Sequence, residues 1–174
     1  MKSIAAALLL GCLVVFAAPA GAKLEVGVTP PDLLGKTPDG DEIRISQFRG
    51  RVVVVTFWAS WCGPCLRELP VLNVLQKAAG ERAKVIAVNV KDSIADYRII
   101  RRQMKDAALT FTHDRKGDIS AGYDVKSYPN LYVIDQNGTI AAVHVGYGEG
   151  SFERIVADIN KLLAAPPTAA PAKA

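Results

Sequence analysis

Two cysteines, Cys62 and Cys65, lie three positions apart in the stretch FWASWCGPCLRELP, residues 57–70. Thiols at this spacing can clip a metal ion, form a static disulfide or exchange electrons with another pair of sulfurs. A static bridge that closes so short a loop removes little chain entropy from the unfolded state. It would therefore stabilise a domain of this size only weakly, and the pattern favours electron exchange over a structural role.

A metal site is the other alternative for this pair of cysteines. Tetrahedral zinc needs two further ligands at a comparable spacing. Beyond the N-terminal segment the other soft ligands are Met104, His113 and His144, and none of them is paired with another along the chain. The sequence therefore does not complete a metal site around the two cysteines.

The elements on either side of the motif decide where the two sulfurs lie. Residues 52–58 (VVVVTFW) are apolar and β-branched without alternation, which is typical of a central strand buried on both faces. The leucines that follow have near-helical spacing and predict a helix from Cys62 to Ala79 that continues past Pro70. The motif therefore lies at the junction between a central strand and the helix that follows it.

This placement gives the two sulfurs different roles. At a helix N-terminus, unpaired amide N–H groups and the helix dipole favour the thiolate of Cys62, and the thiolate is the attacking species in disulfide exchange. Cys65 would lie one turn further along the same side, where it can attack the resulting mixed disulfide. Pro64 suits the opening turn of a helix because its missing donor would be unpaired there.

The rest of the chain alternates predicted strands and helices. The turn dipeptide Asp39-Gly40 predicts a hairpin from Leu33 to Ile45, and Ser46 is expected to cap a single helical turn. Further strands are predicted at residues 84–90, 109–112, 130–135 and 139–145, and further helices at 93–108, 118–123 and 151–163. This order predicts an α/β sandwich with a mixed central sheet flanked by helices, in one domain over residues 24–164.

The two ends of the chain differ from this domain in composition. Lys2 precedes an uncharged run at residues 4–18, and small residues then offer cleavage sites, of which we favour the one after Ala22. Residues 1–22 are thus predicted to be a signal peptide and the mature protein to be periplasmic. The stretch LLGC, which ends at Cys12, resembles a bacterial lipobox, so a lipid-anchored form is the alternative. The Pro/Ala-rich residues 165–174 are predicted to be a disordered tail.

The charge distribution argues against nucleic-acid binding. The net charge is only +4, and basic residues do not cluster with aromatic ones as a nucleic-acid surface requires. The densest basic group repeats at helical spacing and consists of Arg98, Arg101, Arg102 and Lys105. We interpret it as the solvated face of a helix, with a docking surface for an acidic partner as the alternative.

The motif region is similar to that of a known family. The residues DLLGK, the following DG and the run IRISQFRGRVVVVTFWASWCGPCLRELP resemble the exported TlpA/ResA-type thiol–disulfide oxidoreductases of the thioredoxin superfamily. The resemblance extends from about Pro30 to Leu163. It implies a thioredoxin-like sandwich to which an N-terminal β-hairpin has been added.

A third catalytic residue, Glu68, follows from this resemblance. The family has a glutamate three residues after the second cysteine, and Glu68 stands there. Cytoplasmic thioredoxins instead keep a buried aspartate six positions before the first cysteine, where this chain has Thr56. Cys65 and Glu68 are i, i+3 neighbours on one helix face, and burial would raise the pKa of Glu68 toward a value suited to taking the Cys65 proton. A solvated carboxylate on the helix surface is the alternative.

The resemblance also implies a groove for the substrate chain. In the superfamily a cis-proline faces the cysteines and guides the substrate by backbone pairing, and Pro129 directly precedes the strand NLYVID as that proline should. Tyr128 stands where smaller or β-branched residues are frequent, and we expect it to narrow access to Cys62. The other predicted substrate-binding residues are Trp61, Gly63 and Pro64.

Together these residues predict a periplasmic protein-disulfide reductase. The Gly63-Pro64 dipeptide between the cysteines matches the reducing thioredoxins. The family implies disulfide-containing periplasmic partners, such as apocytochrome c or copper-site proteins, and a membrane partner of thiol type that supplies electrons. We expect a monomer with no cofactor, because the dithiol is itself the redox centre.

Two other functions are alternatives. A thiol peroxidase of the peroxiredoxin type shares the N-terminal hairpin and strand, but it needs a threonine three residues before the attacking cysteine, where this chain has Ala59. A copper or zinc carrier would use Cys62 and Cys65 as its ligands.

Overall fold

The computed structural model describes residues 24–164. The predicted signal peptide at residues 1–22, the lipobox cysteine Cys12 and the predicted tail at residues 165–174 lie outside the described residues. Within residues 24–164, no helix is both long enough and apolar enough to cross a bilayer.

The described chain forms seven strands and four α-helices, with short 3₁₀ turns at Ile45–Phe48 and Gly80–Arg82. In chain order the elements are β1 (Leu33–Lys36), β2 (Glu42–Arg44), β3 (Val52–Trp58), α1 (Gly63–Ala79), β4 (Ala83–Val90), α2 (Ile94–Gln103), β5 (Thr110–Asp114), α3 (Asp118–Gly122), β6 (Asn130–Ile134), β7 (Ile140–Val145) and α4 (Ser151–Ala164).

Strand β3 lies at the centre of a five-stranded sheet with the order β5-β4-β3-β6-β7. It runs parallel to β4 and antiparallel to β6, and each of its seven residues is buried. Helices or the hairpin cover both faces of the sheet, which explains why residues 52–58 do not alternate between apolar and polar types. The predicted mixed α/β sandwich is confirmed.

Each face of the sheet has its own hydrophobic core. One core joins the sheet to α1, α2 and α4 through residues such as Leu69, Tyr97 and Ile155. The other core packs the N-terminal hairpin against the sheet and contains Phe57 and Tyr123 among its buried rings. The functional motif lies on the first side, because α1 starts there.

The predicted hairpin is confirmed as a separate antiparallel pair, β1 with β2. The hairpin and the residues just before it are attached to the rest of the domain by polar contacts as well as by packing. The Thr112 hydroxyl donates to the Leu34 carbonyl at 2.5 Å, and the Tyr123 hydroxyl donates to the Pro31 carbonyl at 2.7 Å. Gly35 has a φ of +101°, and a Cβ there would stand 3.2 Å from the Cβ of Thr112, so the close approach needs glycine.

Two local predictions are wrong because contacts distant in sequence override local preference. Helix α2 ends at Gln103 and not at Ala108, since the chain turns away and the Ala108 amide donates to the Asn73 side chain at 2.7 Å. Ser46 does not cap the turn that follows β2, where Arg44 is the N-cap residue. The amide and hydroxyl of Ser46 instead donate to the Asp32 carboxylate at 2.8 and 2.9 Å.

Candidate active site

The two cysteines form a disulfide at the start of α1. Helix α1 begins at Gly63, so Cys62 is its N-cap residue, and the Cys62 sulfur accepts a hydrogen bond from the Cys65 amide at 3.2 Å. Pro64 occupies the first turn, where its missing N–H leaves no bond unmade. The Cys65 amide and the helix dipole both favour negative charge on the Cys62 sulfur when the bond is reduced.

The two sulfurs differ in how a partner molecule can reach them. Cys62 retains 5% of its surface, whereas Cys65 is completely buried in the core on the α1 side of the sheet. The Cα atoms are 5.3 Å apart. A partner disulfide can therefore approach Cys62 first, and Cys65 only through Cys62.

A buried carboxyl group lies one helical turn beyond Cys65. Glu68 is 1% exposed, and its Oε2 accepts a hydrogen bond from the hydroxyl of Thr56 at 2.6 Å. Burial raises the pKa of Glu68 from its usual 4.5 to about 7, and the hydrogen bond from Thr56 acts in the opposite direction. Such a carboxyl can gain or lose a proton near neutral pH. The solvated alternative for Glu68 is wrong.

The residues predicted to bind substrate include neighbours of the disulfide in the chain, Trp61, Gly63 and Pro64, and the pair Tyr128-Pro129. Trp61 is 73% exposed, although large apolar side chains are more often covered. Its ring meets the ring of Tyr128 edge to face, with 5.7 Å between centroids. The Tyr128-Pro129 peptide bond is cis, as the family resemblance implied. Gly63 is exposed and Pro64 is partly exposed, so both are open to a docked chain.

Sequence reasoning missed a polar group that fixes the loop before Cys62. The Asp92 carboxylate accepts hydrogen bonds from the Ser60 amide and the Asn89 side chain, each at 2.6 Å from Oδ2. The Asp92 carbonyl also lies 3.1 Å from Nε2 of His113. The one signal in the sequence was Asn89, a polar residue among the apolar residues 85–90 of strand β4. This network holds the backbone that presents Trp61.

The histidines of the described chain make contacts away from the cysteines. His113 stacks on Tyr97 with 4.7 Å between ring centroids, and Nε2 of His144 lies 3.0 Å from the Asp158 carboxylate. Among residues 24–164 no group of three or more His, Cys, Asp or Glu side chains is arranged to hold a metal ion. The chemistry that this arrangement supports is thiol–disulfide exchange with proton transfer.

The sheet order, the covering helices and a cysteine pair at the end of the central strand define a protein with the thioredoxin-like fold. A family model described as Redoxin matches residues 18–163. The chain belongs to the Redoxin family and is a thiol–disulfide oxidoreductase of the thioredoxin superfamily.

Individual relatives agree with this assignment. The chain is 37% identical over 130 residues to the thioredoxin-like protein YneN of Bacillus subtilis, covering 71% of this chain and 76% of YneN. It is 32% identical over 124 residues to the thiol-disulfide oxidoreductase ResA of Geobacillus kaustophilus, covering 70% of each chain. Among solved structures, a candidate thiol:disulfide interchange protein DsbE from Chlorobium tepidum has a TM-score of 0.76 at 32% identity, covering 81% of this chain and 99% of that one. The predicted resemblance to ResA-type oxidoreductases is confirmed.

Proposed function

We propose that this protein is an exported reductant of protein disulfides, in which Cys62 attacks, Cys65 resolves and Glu68 accepts the Cys65 proton. The observation that carries the proposal is the unequal placement of the two sulfurs. Cys62 caps the helix and retains an exposed edge, whereas Cys65 is buried on the helix face that also bears Glu68. A metal carrier needs no such difference between its two ligands.

The reaction takes place in two exchanges. The Cys62 thiolate attacks one sulfur of a substrate disulfide, the substrate S–S bond breaks as the Cys62–substrate bond forms, and the departing thiolate takes a proton from solvent. Glu68 then accepts the Cys65 proton, and the Cys65 thiolate attacks the Cys62 sulfur. The Cys62–Cys65 bond forms, and the second substrate sulfur leaves as a thiolate and is protonated. The substrate gains two electrons and two protons.

The disulfide present in the structure corresponds to the end of this cycle. A new turnover needs two electrons from a thiol donor, which returns both cysteines to the reduced state. The family resemblance favours a membrane partner of thiol type for this step. It also favours apocytochrome c or copper-site proteins as the substrates whose cysteines are kept reduced.

The substrate is proposed to be a protein chain that docks beside Trp61. The exposed Trp61 ring and the Tyr128 ring offer an apolar platform, and rings of this kind contribute large contact area at low entropic cost. Gly63, Pro64 and Pro129 are proposed to contact the backbone of the docked chain. Tyr128 is proposed to restrict which chains can approach Cys62.

Export is proposed from the sequence of residues 1–22, which has the charge, apolar run and small residues of a signal peptide. Cleavage after Ala22 would release a periplasmic protein, and lipidation of Cys12 would instead anchor it. The peroxidase alternative has one observation against it, because Ala59 offers no hydroxyl to position a peroxide.

Trapping of mixed disulfides tests the assigned roles. Reduced wild-type protein, Cys65→Ser and Cys62→Ser are each incubated with a periplasmic extract and quenched with acid and an alkylating agent. We expect adducts that disappear on addition of dithiothreitol from Cys65→Ser, because its first exchange is intact and its second is blocked. Cys62→Ser lacks the attacking sulfur and should yield none. Equal adducts from both variants would contradict the roles of the two cysteines.

A further inference from the structure

Thr56 has a place in the site that the family resemblance does not explain. It lies in the central strand β3, between Ala87 of β4 and Leu131 of β6, and it is completely buried. Its hydroxyl donates to Oε2 of Glu68 at 2.6 Å, from a residue 12 positions away in sequence. Among the described residues, this is the hydrogen bond that the Glu68 carboxyl makes.

The two sides of this contact differ in rigidity. Thr56 is β-branched, so its χ1 angle has few accessible values, and its backbone is paired on both sides in the middle of the sheet. Glu68 is a longer side chain with more rotatable bonds, and it reaches the contact from helix α1. The strand therefore supplies a fixed donor, and the carboxyl group is oriented by it.

We propose that Thr56 is a positioning residue for proton transfer, whose hydroxyl holds the Glu68 carboxyl in its ionised, proton-accepting form on the Cys65 side of α1. The inference rests on the proposed role of Glu68. A hydroxyl that donates to a carboxylate stabilises the charged form, because the protonated acid accepts a weaker hydrogen bond. A neutral donor does this without placing a second charge beneath the cysteines.

Within the described residues, the ionisable side chains that precede Glu68 in this part of the chain are those of Cys65 and Arg67 on α1 and of Cys62, its N-cap residue. From the segment between β7 and α4 comes Tyr147, whose pKa is raised mainly by burial and further by the negative charge of Glu68. No charged side chain of the described residues contributes to the pKa of Glu68, which is set by burial and by Thr56. Removal of the hydroxyl should therefore act on Glu68 without a competing ionic partner.

The direct test is the titration of Glu68 in the oxidised protein, where the cysteines are disulfide-bonded and do not titrate. Carbon-13 NMR of the glutamate carboxyl groups is followed from pH 4 to pH 10 for wild type, Thr56→Val, Thr56→Ala and Thr56→Ser, and the Glu68 resonance is assigned by its loss in Glu68→Gln. We expect the midpoint to rise by about one pH unit in Thr56→Val and Thr56→Ala, since one hydrogen bond to a charged group is lost. Thr56→Ser keeps the hydroxyl and should stay near wild type.

The activity test uses insulin disulfides and the pre-reduced protein over the same pH range. Thr56→Val should reduce insulin about fivefold more slowly than wild type at pH 7, because a one-unit rise in the Glu68 pKa lowers its ionised fraction by that factor, and it should approach the wild-type rate at high pH. Thr112→Val is the matched control, because Thr112 is also a completely buried strand threonine but donates to the Leu34 carbonyl and not to Glu68. It should lose a similar amount of stability and keep the wild-type pH midpoint.

The outcomes separate this inference from the proposed function. An unmoved Glu68 midpoint in both Thr56→Val and Thr56→Ala, or an equal shift in Thr112→Val, would overturn the role of Thr56 and leave the role of Glu68 intact. If Glu68→Gln retains the wild-type rate and pH profile, the role of Glu68 itself fails. Both Thr56→Ala and Thr56→Val are measured, so the test still stands if one of these two variants does not fold.

Discussion

Two buried carboxyl groups of this protein, Glu68 beneath the cysteines and Asp114 at the end of β5, are surrounded in opposite ways. Glu68 accepts one hydrogen bond, from the hydroxyl of Thr56. Asp114 accepts three from backbone amides, those of Gly117, Ile119 and Ser120, at 3.0, 3.3 and 2.8 Å. Both side chains are almost completely covered, so their difference lies in the donors and not in exposure.

The comparison separates a carboxylate that builds the fold from one that is available for chemistry. Backbone amides at the start of α3 need an acceptor, and Asp114 satisfies three of them at once. Within residues 24–164, Glu68 has a single neutral donor and no charged side chain shifts its pKa, so burial dominates and holds that pKa at about 7. A scarcity of donors is thus what makes a buried carboxyl group responsive to pH near neutrality.

The largest expected effect is the loss of stability when the carboxylate with three hydrogen-bond donors, Asp114, is removed. Asp114→Ala leaves three buried amides without their acceptor, which we expect to lower the free energy of unfolding by about 4 kcal/mol. Urea unfolding followed by circular dichroism measures it. The matched control is Asp118→Ala, an exposed carboxylate in the first turn of α3, for which the loss should be below about 1 kcal/mol. Equal losses in the two variants would remove the distinction drawn for Asp114.

The second effect is the pH dependence of stability that Glu68 adds. Its pKa is raised in the folded state to about 7 from its usual 4.5, so the folded protein binds a proton more tightly than the unfolded chain. The stabilisation is complete below pH 4.5 and is lost as the pH rises through 7. Between pH 4 and pH 8 the free energy of unfolding of the oxidised wild type should fall by about 3 kcal/mol relative to Glu68→Gln.

Urea unfolding of the two oxidised proteins at several pH values measures this difference. Glu68→Gln is a suitable reference because the amide is close in size and does not titrate. Above pH 8 the curves for the two proteins should run parallel, since Glu68 is then ionised in both states. Parallel curves over the whole range from pH 4 to pH 8 would mean that burial does not perturb this carboxyl.

The smallest expected effect on stability concerns Asp92. Its carboxylate has two donors, the Ser60 amide and the Asn89 side chain, so its number of donors lies between those of Glu68 and Asp114. Asp92→Asn keeps one acceptor oxygen, so we expect a loss of about 1 kcal/mol in the free energy of unfolding. Asp96→Asn, on the exposed face of α2, is the control and should change stability less. A loss in Asp92→Asn as large as that in Asp114→Ala would show that donor number does not order these sites.

The parts of this structure that could be predicted from sequence are those that depend on patterns of neighbouring residues. The apolar run of β3, the Asp39-Gly40 turn and the leucine spacing of α1 each depend on residues close in the chain. The end of α2 could not be predicted in this way, because Ala108 leaves the helix to bond to Asn73 of another helix. Local preference was overruled by a tertiary contact.

The candidate site shows the same division. The cysteine pair could be recognised from the sequence because both residues lie within the first turn of one helix. The family resemblance pointed to Glu68 and Pro129. The Thr56–Glu68 hydrogen bond and the acceptor role of Asp114 were not predicted. Polar contacts of this kind depend on how strand and helix are juxtaposed, which residue type and spacing do not encode.

The attachment of the hairpin has a practical consequence for anyone who shortens this chain or fuses it to another. Leu34 is completely buried, and Pro31 supplies the carbonyl to which Tyr123 donates. Truncation to the minimal thioredoxin-like unit would remove the N-terminal hairpin and expose the rings of Phe57 and Tyr123. The resulting apolar patch would promote aggregation. Expression boundaries should therefore be drawn upstream of Pro31.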